Sequence, residues 1–452
     1  MTLLNELSAE VCQRARMSRD PRFDGRFFVA VKTTGIFCRP ICPANLPKEE
    51  NVEYFSSQAL AVSAGYRPCL RCRPESAPHS WAWKGAETTF LRALTLIEQG
   101  ELDGSLETLA SRLGISDRYL RQLFQRHLGM PLKQYAQIQQ LMFAKQLLHT
   151  SQISITEVAY ASGFQSTRRF NDAFQKLFRL TPTQVRRERA ALPSRNHLSL
   201  AFRGPFDWAH MLDFYRLRAI EGMELVDEQS YQRHFVLGEG TGWFKASMAQ
   251  SHLDIEFEME RLSDLRHLVA RLRRMFDLDA DLISIEAHLE QLAPGLVRRT
   301  GIRIPGVWNA WEAGVRAVLG QQVSVKAAIG QLNLLVSTLA ASEGSTRYFP
   351  TPEQVQMSDL SFLRMPERRK ETLKRLADYV RLHPMDSPMA WLSLSGIGPW
   401  TVDYAQLRGE SRSHCFLTGD LIVKKALAKF PQLTAESVAP WGSYATFHCW
   451  SH

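Results

Sequence analysis

Thr34-Gly35-Ile36-Phe37-Cys38-Arg39-Pro40-Ile41-Cys42 and, further along, Tyr66-Arg67-Pro68-Cys69-Leu70-Arg71-Cys72-Arg73-Pro74 decide how the first part of this chain folds. Two close cysteine pairs bring four thiolates within reach of one ion. Four sulfurs in a closed tetrahedral shell are a usual arrangement for zinc. The surrounding segment is rich in arginine and proline and has one apolar run, Phe27-Phe28-Val29-Ala30-Val31. It reads as a small sheet stapled by Zn2+, with metal binding and folding coupled. The ion is either purely structural or the support of a reactive thiolate, and spacing alone does not separate the two readings.

The reactive reading is chemically sound. Four thiolates on one divalent ion leave a net negative charge, so the sulfurs stay electron-rich. Arg39, Arg71 and Arg73 stand beside the ligands and are candidates to hold a phosphate near them. These words resemble the metal-binding N-terminal domain of the Ada family over about residues 1–78. The resemblance implies that Cys38, Cys42, Cys69 and Cys72 ligate zinc and that Cys38 takes a methyl group from a DNA phosphotriester. Methylation removes one negative charge, which would tighten the hold on a phosphate backbone.

Length and charge set the frame for the rest. A chain of 452 residues is too long for one core and should hold about three domains. Its formal net charge of +9 points to an anionic partner. Residues 1–80 carry 11 basic against 8 acidic residues, 81–197 carry 16 against 9, and 198–452 carry 28 against 29. The middle third therefore supplies most of the attraction for a phosphate backbone. Seven cysteines without a secretory signal argue against a disulfide framework. No run approaches the ~18 apolar residues that span a bilayer. The expected setting is a reducing cytoplasm, at the nucleoid, with no membrane partner.

Residues 86–190 repeat a helical unit. Leu106-Glu107-Thr108-Leu109-Ala110-Ser111-Arg112-Leu113-Gly114-Ile115-Ser116 is echoed by Ile155-Thr156-Glu157-Val158-Ala159-Tyr160-Ala161-Ser162-Gly163-Phe164-Gln165-Ser166. In each, a glycine lets the chain turn after one helix and a serine caps the next. Ser154 with Glu157 fits a capping box. Helix, glycine turn, helix is the helix-turn-helix pattern. A plain bundle of two hairpins is the competing reading, and the basic balance favours DNA. Arg118, Tyr119, Arg121 and Gln122 would face a groove from the first unit, and Gln165, Ser166, Thr167, Arg168 and Arg169 from the second. The stretch, ending Phe174-Gln175-Lys176-Leu177-Phe178-Arg179-Leu180-Thr181-Pro182, resembles the AraC-type transcription-factor domain.

A basic linker, 184–197, precedes a change of period. Leu253, Ile255, Phe257 and Met259 alternate with acidic residues, which predicts an antiparallel strand with one solvated face. Residues 198–281 read as a mixed sheet lobe and 282–452 as helical. Within the latter, Leu394-Ser395-Gly396-Ile397-Gly398-Pro399-Trp400-Thr401 is a hairpin between helices. Free amides at Gly396 and Gly398 can grip a phosphate, and Pro399 suits the first turn of the next helix. Asp420 follows in Phe416-Leu417-Thr418-Gly419-Asp420.

Hairpin plus aspartate resembles the helix-hairpin-helix DNA glycosylases. Over about 198–452, with Phe206-Asp207-Trp208, Pro305-Gly306 and Gly314 to Ser324, the match is to the 3-methyladenine glycosylase II (AlkA) type. It implies that Asp420 is the catalytic carboxylate and that Trp400, Tyr404, Trp450 and Phe214 wall a base pocket. Taken singly, each aromatic reads equally as core packing. Trp400 stands where relatives that cut the strand have a lysine, so simple base excision is expected. Gln322 replaces an apolar wedge, and Thr418-Gly419 replaces a more acidic or proline-containing pair.

The expected fold is multidomain and mainly α: a zinc-stapled α+β domain at 1–78, a two-unit helix-turn-helix domain at 86–190, a sheet lobe at 198–281 and a helix-hairpin-helix domain at 282–452. The implied function is a monomeric alkylation-damage protein that reads methylated backbone, activates genes through RNA polymerase and excises alkylated bases. A pure regulator with a non-catalytic C-terminal half is the rival.

Overall fold

The computed structural model describes residues 7–20, 23–72, 74, 81–98, 106–187, 196–339, 342–343, 346–384 and 386–451. Arg73 and most of the expected linker at 184–197 lie outside the described residues. The chain forms two compact units, Met1–Ala136 and Gln137–His452. The division falls inside the helix Leu132–Thr150, between the two repeated helical units.

In the first unit, a four-stranded sheet carries the cysteines. Its strands Val52–Phe55, Phe28–Val31, Ile36–Cys38 and Arg67–Pro68 lie in that spatial order. Side chains of a strand alternate between faces. Val29 and Val52 accordingly cluster with Cys12 and Ala15 of the helix Ala9–Ser18. Phe28, Ala30 and Phe37 cluster with Ala61 of the helix Gln58–Ser63. The last strand runs parallel to Ile36–Cys38, and Cys69 N–H donates to the Phe37 carbonyl at 3.0 Å. That pairing brings the second cysteine pair beside the first. After it, Leu120, Leu123 and Phe124 of the helix Asp117–Leu128 pack on Leu109 of the helix Leu106–Arg112.

In the second unit, the helices Ile155–Ala161 and Thr167–Phe178 form the other repeat. Both serine caps and the capping box of Ser154 with Glu157 are formed. Gly114 and Gly163 take positive φ, 67° and 82°, where a side chain would be strained. Val158, Phe170 and Phe174 lie in one hydrophobic cluster with a five-stranded antiparallel sheet and the helix Leu265–Met275. The strand order is His197–Ala201, His252–Met259, Gly240–Met248, Ser230–Leu237, Glu224–Val226. Leu253, Ile255 and Phe257 are buried as the alternation demands.

The rest of the unit is mainly helical, with one short antiparallel pair, Ser342–Glu343 and Thr346–Arg347, around two more clusters. The helix Ala310–Gly320 is buried along nearly its whole length. It carries Glu312 and Arg316 into the interior, where they meet Glu224 and Arg233 of the sheet. Arg233 bonds Glu224 at 2.8 Å and Glu312 at 2.5 Å, and Arg316 bonds Glu312 at 2.9 Å and Glu224 at 3.2 Å. Two acids and two bases close a neutral ring. Burial alone would raise Glu312, but Arg233 and Arg316 outweigh it and hold it at about 2. This depressed value means a stability contribution complete above the ordinary Glu range and lost as pH falls through about 2. Glu312→Gln should leave a buried cation in excess and cost about 3–5 kcal/mol in urea unfolding. A loss under about 1 kcal/mol would mean the ring is dispensable.

Candidate functional site

Three sites emerge, each built on its own elements. In the first, the sulfurs of Cys38, Cys42, Cys69 and Cys72 all lie within 4.8 Å of one another. Sulfurs on one tetrahedral zinc at ~2.3 Å stand ~3.8 Å apart, so the set fits the ion. The acid–base balance fits as well. The hydrogen bond with Cys72, burial and the neighbouring sulfurs push Cys38 far above an ordinary thiol. The hydrogen bond from Cys38 lowers Cys72 to about 6. An all-cysteine set this compact suits a zinc ion, and these four residues would hold it. Cys42 is buried, while Cys38 and Cys69 are half-buried.

The flanking arginines divide. Arg39 does not stand free for a phosphate. Its Nε donates to Asp24 at 2.8 Å, Nη2 pairs with the same carboxylate, and Nη1 donates to the Cys72 carbonyl at 3.3 Å. Its backbone N–H donates to Cys72 Sγ at 3.4 Å. Arg39 therefore ties the cluster to the loop before the sheet. Arg71 is exposed.

The two helices expected to face DNA lie one in each unit. Arg118, Arg121 and Gln122 are exposed on Asp117–Leu128, and Arg121 bonds Asp117 one turn away at 3.1 Å. Arg168 and Arg169 are exposed at the start of Thr167–Phe178, with Ser166 as its cap. Each helix presents cations and amide donors while burying its opposite face, as a groove-reading helix does.

The third site is a cleft of about 1590 Å³ in the second unit. Asp420 caps the helix Leu421–Leu427. One carboxylate oxygen, Oδ1, accepts from Ile422 N–H at 2.9 Å, Val423 N–H at 3.3 Å and Trp450 Nε1 at 3.1 Å. Oδ2 has no hydrogen-bond partner among the described residues. One oxygen is held by three donors and the other is open. Trp400 and Tyr404 stack with centroids 5.3 Å apart on the helix Pro399–Gly409. Trp450 stands over Phe447 edge-on at 4.9 Å and parallel to Phe214 at 6.3 Å.

Phe214 is not an open wall. The Arg218 guanidinium lies 3.7 Å from its ring centre and that of Arg408 4.8 Å. Arg408 also donates to the Tyr404 hydroxyl at 2.8 Å and to the Pro305 carbonyl at 2.7 Å. Burial would raise Tyr404, but Arg408 and Arg218 outweigh it and lower it. Sequence reasoning missed these two cations. The mid-helix arginine in an apolar stretch, Ala405-Gln406-Leu407-Arg408, was the available signal for one of them.

The hairpin borders the cleft. Gly396 has φ +94°, and a Cβ there would stand 2.1 Å from Thr372 Oγ1. Among the described residues, neither Gly396 nor Gly398 gives its N–H to a backbone carbonyl. Gln321 Nε2 bonds the Gly396 carbonyl at 3.1 Å and Thr401 at 3.2 Å, bracing the hairpin. Gln322 beside it is exposed with φ +55°, in left-handed backbone that a glutamine rarely adopts. Such strain persists where the side chain has work to do. Gln322→Gly should stabilise the fold by about 1 kcal/mol while slowing any reaction that needs a side chain there. Equal activity in the glycine variant would remove the wedge role.

Similarity to known proteins follows the same three sites. Residues 11–75 match the metal binding domain of Ada, 109–188 a helix-turn-helix domain, and 197–309 the AlkA N-terminal domain. The chain is 34% identical over 475 residues, 98% of itself and 96% of the relative, to the probable bifunctional transcriptional activator/DNA repair enzyme AlkA of Mycobacterium tuberculosis (strain CDC 1551 / Oshkosh). It is 33% identical over 277 residues, 56% of itself and 96% of the relative, to DNA-3-methyladenine glycosylase 2 of Escherichia coli K12. It is 34% identical over 170 residues, 38% of itself and 47% of the relative, to the bifunctional transcriptional activator/DNA repair enzyme Ada of the same organism. The thiolate cluster, the two helices expected to face DNA and the aromatic cleft lie along a chain that aligns with the first of these relatives over 98% of its length, and the protein belongs to the family of bifunctional transcriptional activator/DNA repair enzymes AlkA.

Proposed function

We propose that this protein excises alkylated bases from double-stranded DNA with the cleft around Asp420 and senses methylated DNA backbone with the zinc-held Cys38. The observation that carries the first half is the half-satisfied carboxylate. Asp420 lines a cleft together with Trp400, Tyr404 and Trp450, and a flipped nucleotide would place its sugar there. An alkylated purine is cationic, so its bond to C1′ is already weak, and electron-rich rings attract it. As the C1′–N bond breaks, the electron pair stays on the base. Water adds to C1′ and gives up its proton, while the carboxylate steadies the positive sugar. The cleft mouth carries Arg368 and Arg369 and the free hairpin amides, which suit the DNA backbone. No lysine stands at the hairpin, so the strand remains whole around an abasic site.

In the first unit, Cys38, Cys42, Cys69 and Cys72 would hold the zinc ion, which would keep their thiolates deprotonated. Cys38 sulfur attacks the methyl carbon of a phosphotriester, the C–O bond breaks, and the phosphodiester leaves with the electron pair. The methylated cluster repels phosphate less, and the two helix-turn-helix units then hold promoter DNA and present the protein, acting as a monomer, to RNA polymerase. Arg71 holds the phosphate and Arg39 keeps Cys72 in place.

The test uses the full chain. DNA treated with a methylating agent should release 3-methyladenine and 7-methylguanine on incubation. Mass spectrometry of the same protein should show one added methyl on the peptide bearing Cys38. Free bases without a methyl would reduce the zinc site to a structural one. A methyl without free bases would leave a regulator only.

A further inference from the structure

The proposed base pocket holds a guanidinium with no ion-pair partner among the described residues. Arg218 half-buries beneath Phe214, and its Nη1 donates to the Phe214 carbonyl at 3.2 Å. Its Nε and Nη2 have no hydrogen-bond partner among the described residues and are not sealed off, since Arg218 lines the cleft. Among the described residues, no carboxylate pairs with it. Arg316 anchors the backbone there by donating to the Arg218 carbonyl at 2.9 Å, and Arg316 is fixed in the buried ring. Burial lowers Arg218 to about 10, so it is still charged at neutral pH.

This arrangement is poorly suited to a cationic base alone. A fixed cation repels positive charge, and the Phe214 face that could attract it is covered by guanidinium. An arginine held with two donors free and no carboxylate paired to it, although Asp213 and Asp420 line the same cleft, is suited to an acceptor-rich edge that gains negative charge. We propose that Arg218 is the leaving-group residue of this cleft, hydrogen-bonding a keto oxygen or ring nitrogen of the flipped base and stabilising the anion formed when an uncharged base departs. This rests on the reading of the cleft as a glycosylase pocket.

The balance differs between the two substrate classes. When the C1′–N bond of a cationic alkylpurine breaks, the base leaves neutral and needs no partner. When the base is uncharged, the pair left on its nitrogen makes an anion. Arg218 takes up that charge by hydrogen bonding, water adds to C1′, and solvent later protonates the base. Arg218 thus sets how far excision extends from cationic to neutral lesions.

The measurement is a ratio. Single-turnover excision is followed on two duplexes, one bearing hypoxanthine as the neutral keto base and one bearing 7-methylguanine as the cationic base. The ratio of the two rate constants should fall by about 10–100-fold in Arg218→Met, as expected on losing one donor to a developing anion. Arg218→Lys, which keeps the charge, should restore part of it. A purely structural role slows both reactions together and leaves the ratio at the wild-type value, which overturns the proposal. So does a wild type that releases 7-methylguanine but never hypoxanthine. If the wild type releases neither base, the glycosylase reading itself has failed.

Discussion

Asp420→Asn is expected to stop base release while leaving damaged DNA bound. Asparagine caps a helix about as well as aspartate, so the bonds to Ile422 and Val423 can be kept and the fold should survive. What changes is the free position. Oδ2 becomes an uncharged N–H donor aimed at a sugar that is turning positive. Removing one preorganised electrostatic group of this kind typically lowers a rate by ~10²–10³-fold, and here the group also reverses its polarity. Single-turnover excision and a gel-shift titration on the same lesion duplex separate the two effects. Normal excision in the variant would end the assignment. Loss of binding and excision together would mark Asp420 as a folding residue.

The second large effect is on the zinc lobe. Cys42→Ser should empty the metal site and melt the sheet around it. Only small clusters, Phe28, Ala30, Phe37 and Ala61 on one face and Cys12, Ala15, Phe27, Val29 and Val52 on the other, hold that lobe. Structural zinc is worth an apparent ~10–16 kcal/mol in comparable peptides, far more than such clusters supply. In the full chain, hydrogen exchange at Phe28–Val31 and Ile36–Cys38 should become fast, while amides in Ala310–Gly320 stay protected. Wild-type protein should retain one zinc per chain through mild chelation. Intact protection without metal would show that the lobe folds on its own core.

Much of this was legible locally. Cysteine spacing, the glycine turns at Gly114 and Gly163, the serine caps and the alternation from Leu253 to Phe257 are short-range signals, and each element lies where they put it. The hairpin at Gly396 and the acid at Asp420 were likewise marked by neighbouring residues. What was hidden depends on distant partners. Arg39 looked like a phosphate holder because its neighbours are ligands, but its carboxylate, Asp24, comes from a loop before the sheet. The ring of Glu224, Arg233, Glu312 and Arg316 joins a strand pair to a helix far along the chain, and no periodicity announces it. Phe214 was expected as open wall. Arg218, one helical turn onward, covers it by folding back, which spacing permits but does not require. The division of the chain inside Leu132–Thr150 was also invisible, because a continuous helix gives no break in sequence.

Base excision without strand cleavage is the central chemical consequence of the cleft. A duplex with a single 7-methylguanine, labelled at one end and incubated with wild-type protein, tests it most directly. The account predicts a strand that stays whole on a neutral gel, breaks at the lesion after alkali, and gives no protein–DNA adduct with borohydride. A strand that survives alkali intact, or a borohydride-trapped adduct, would contradict it.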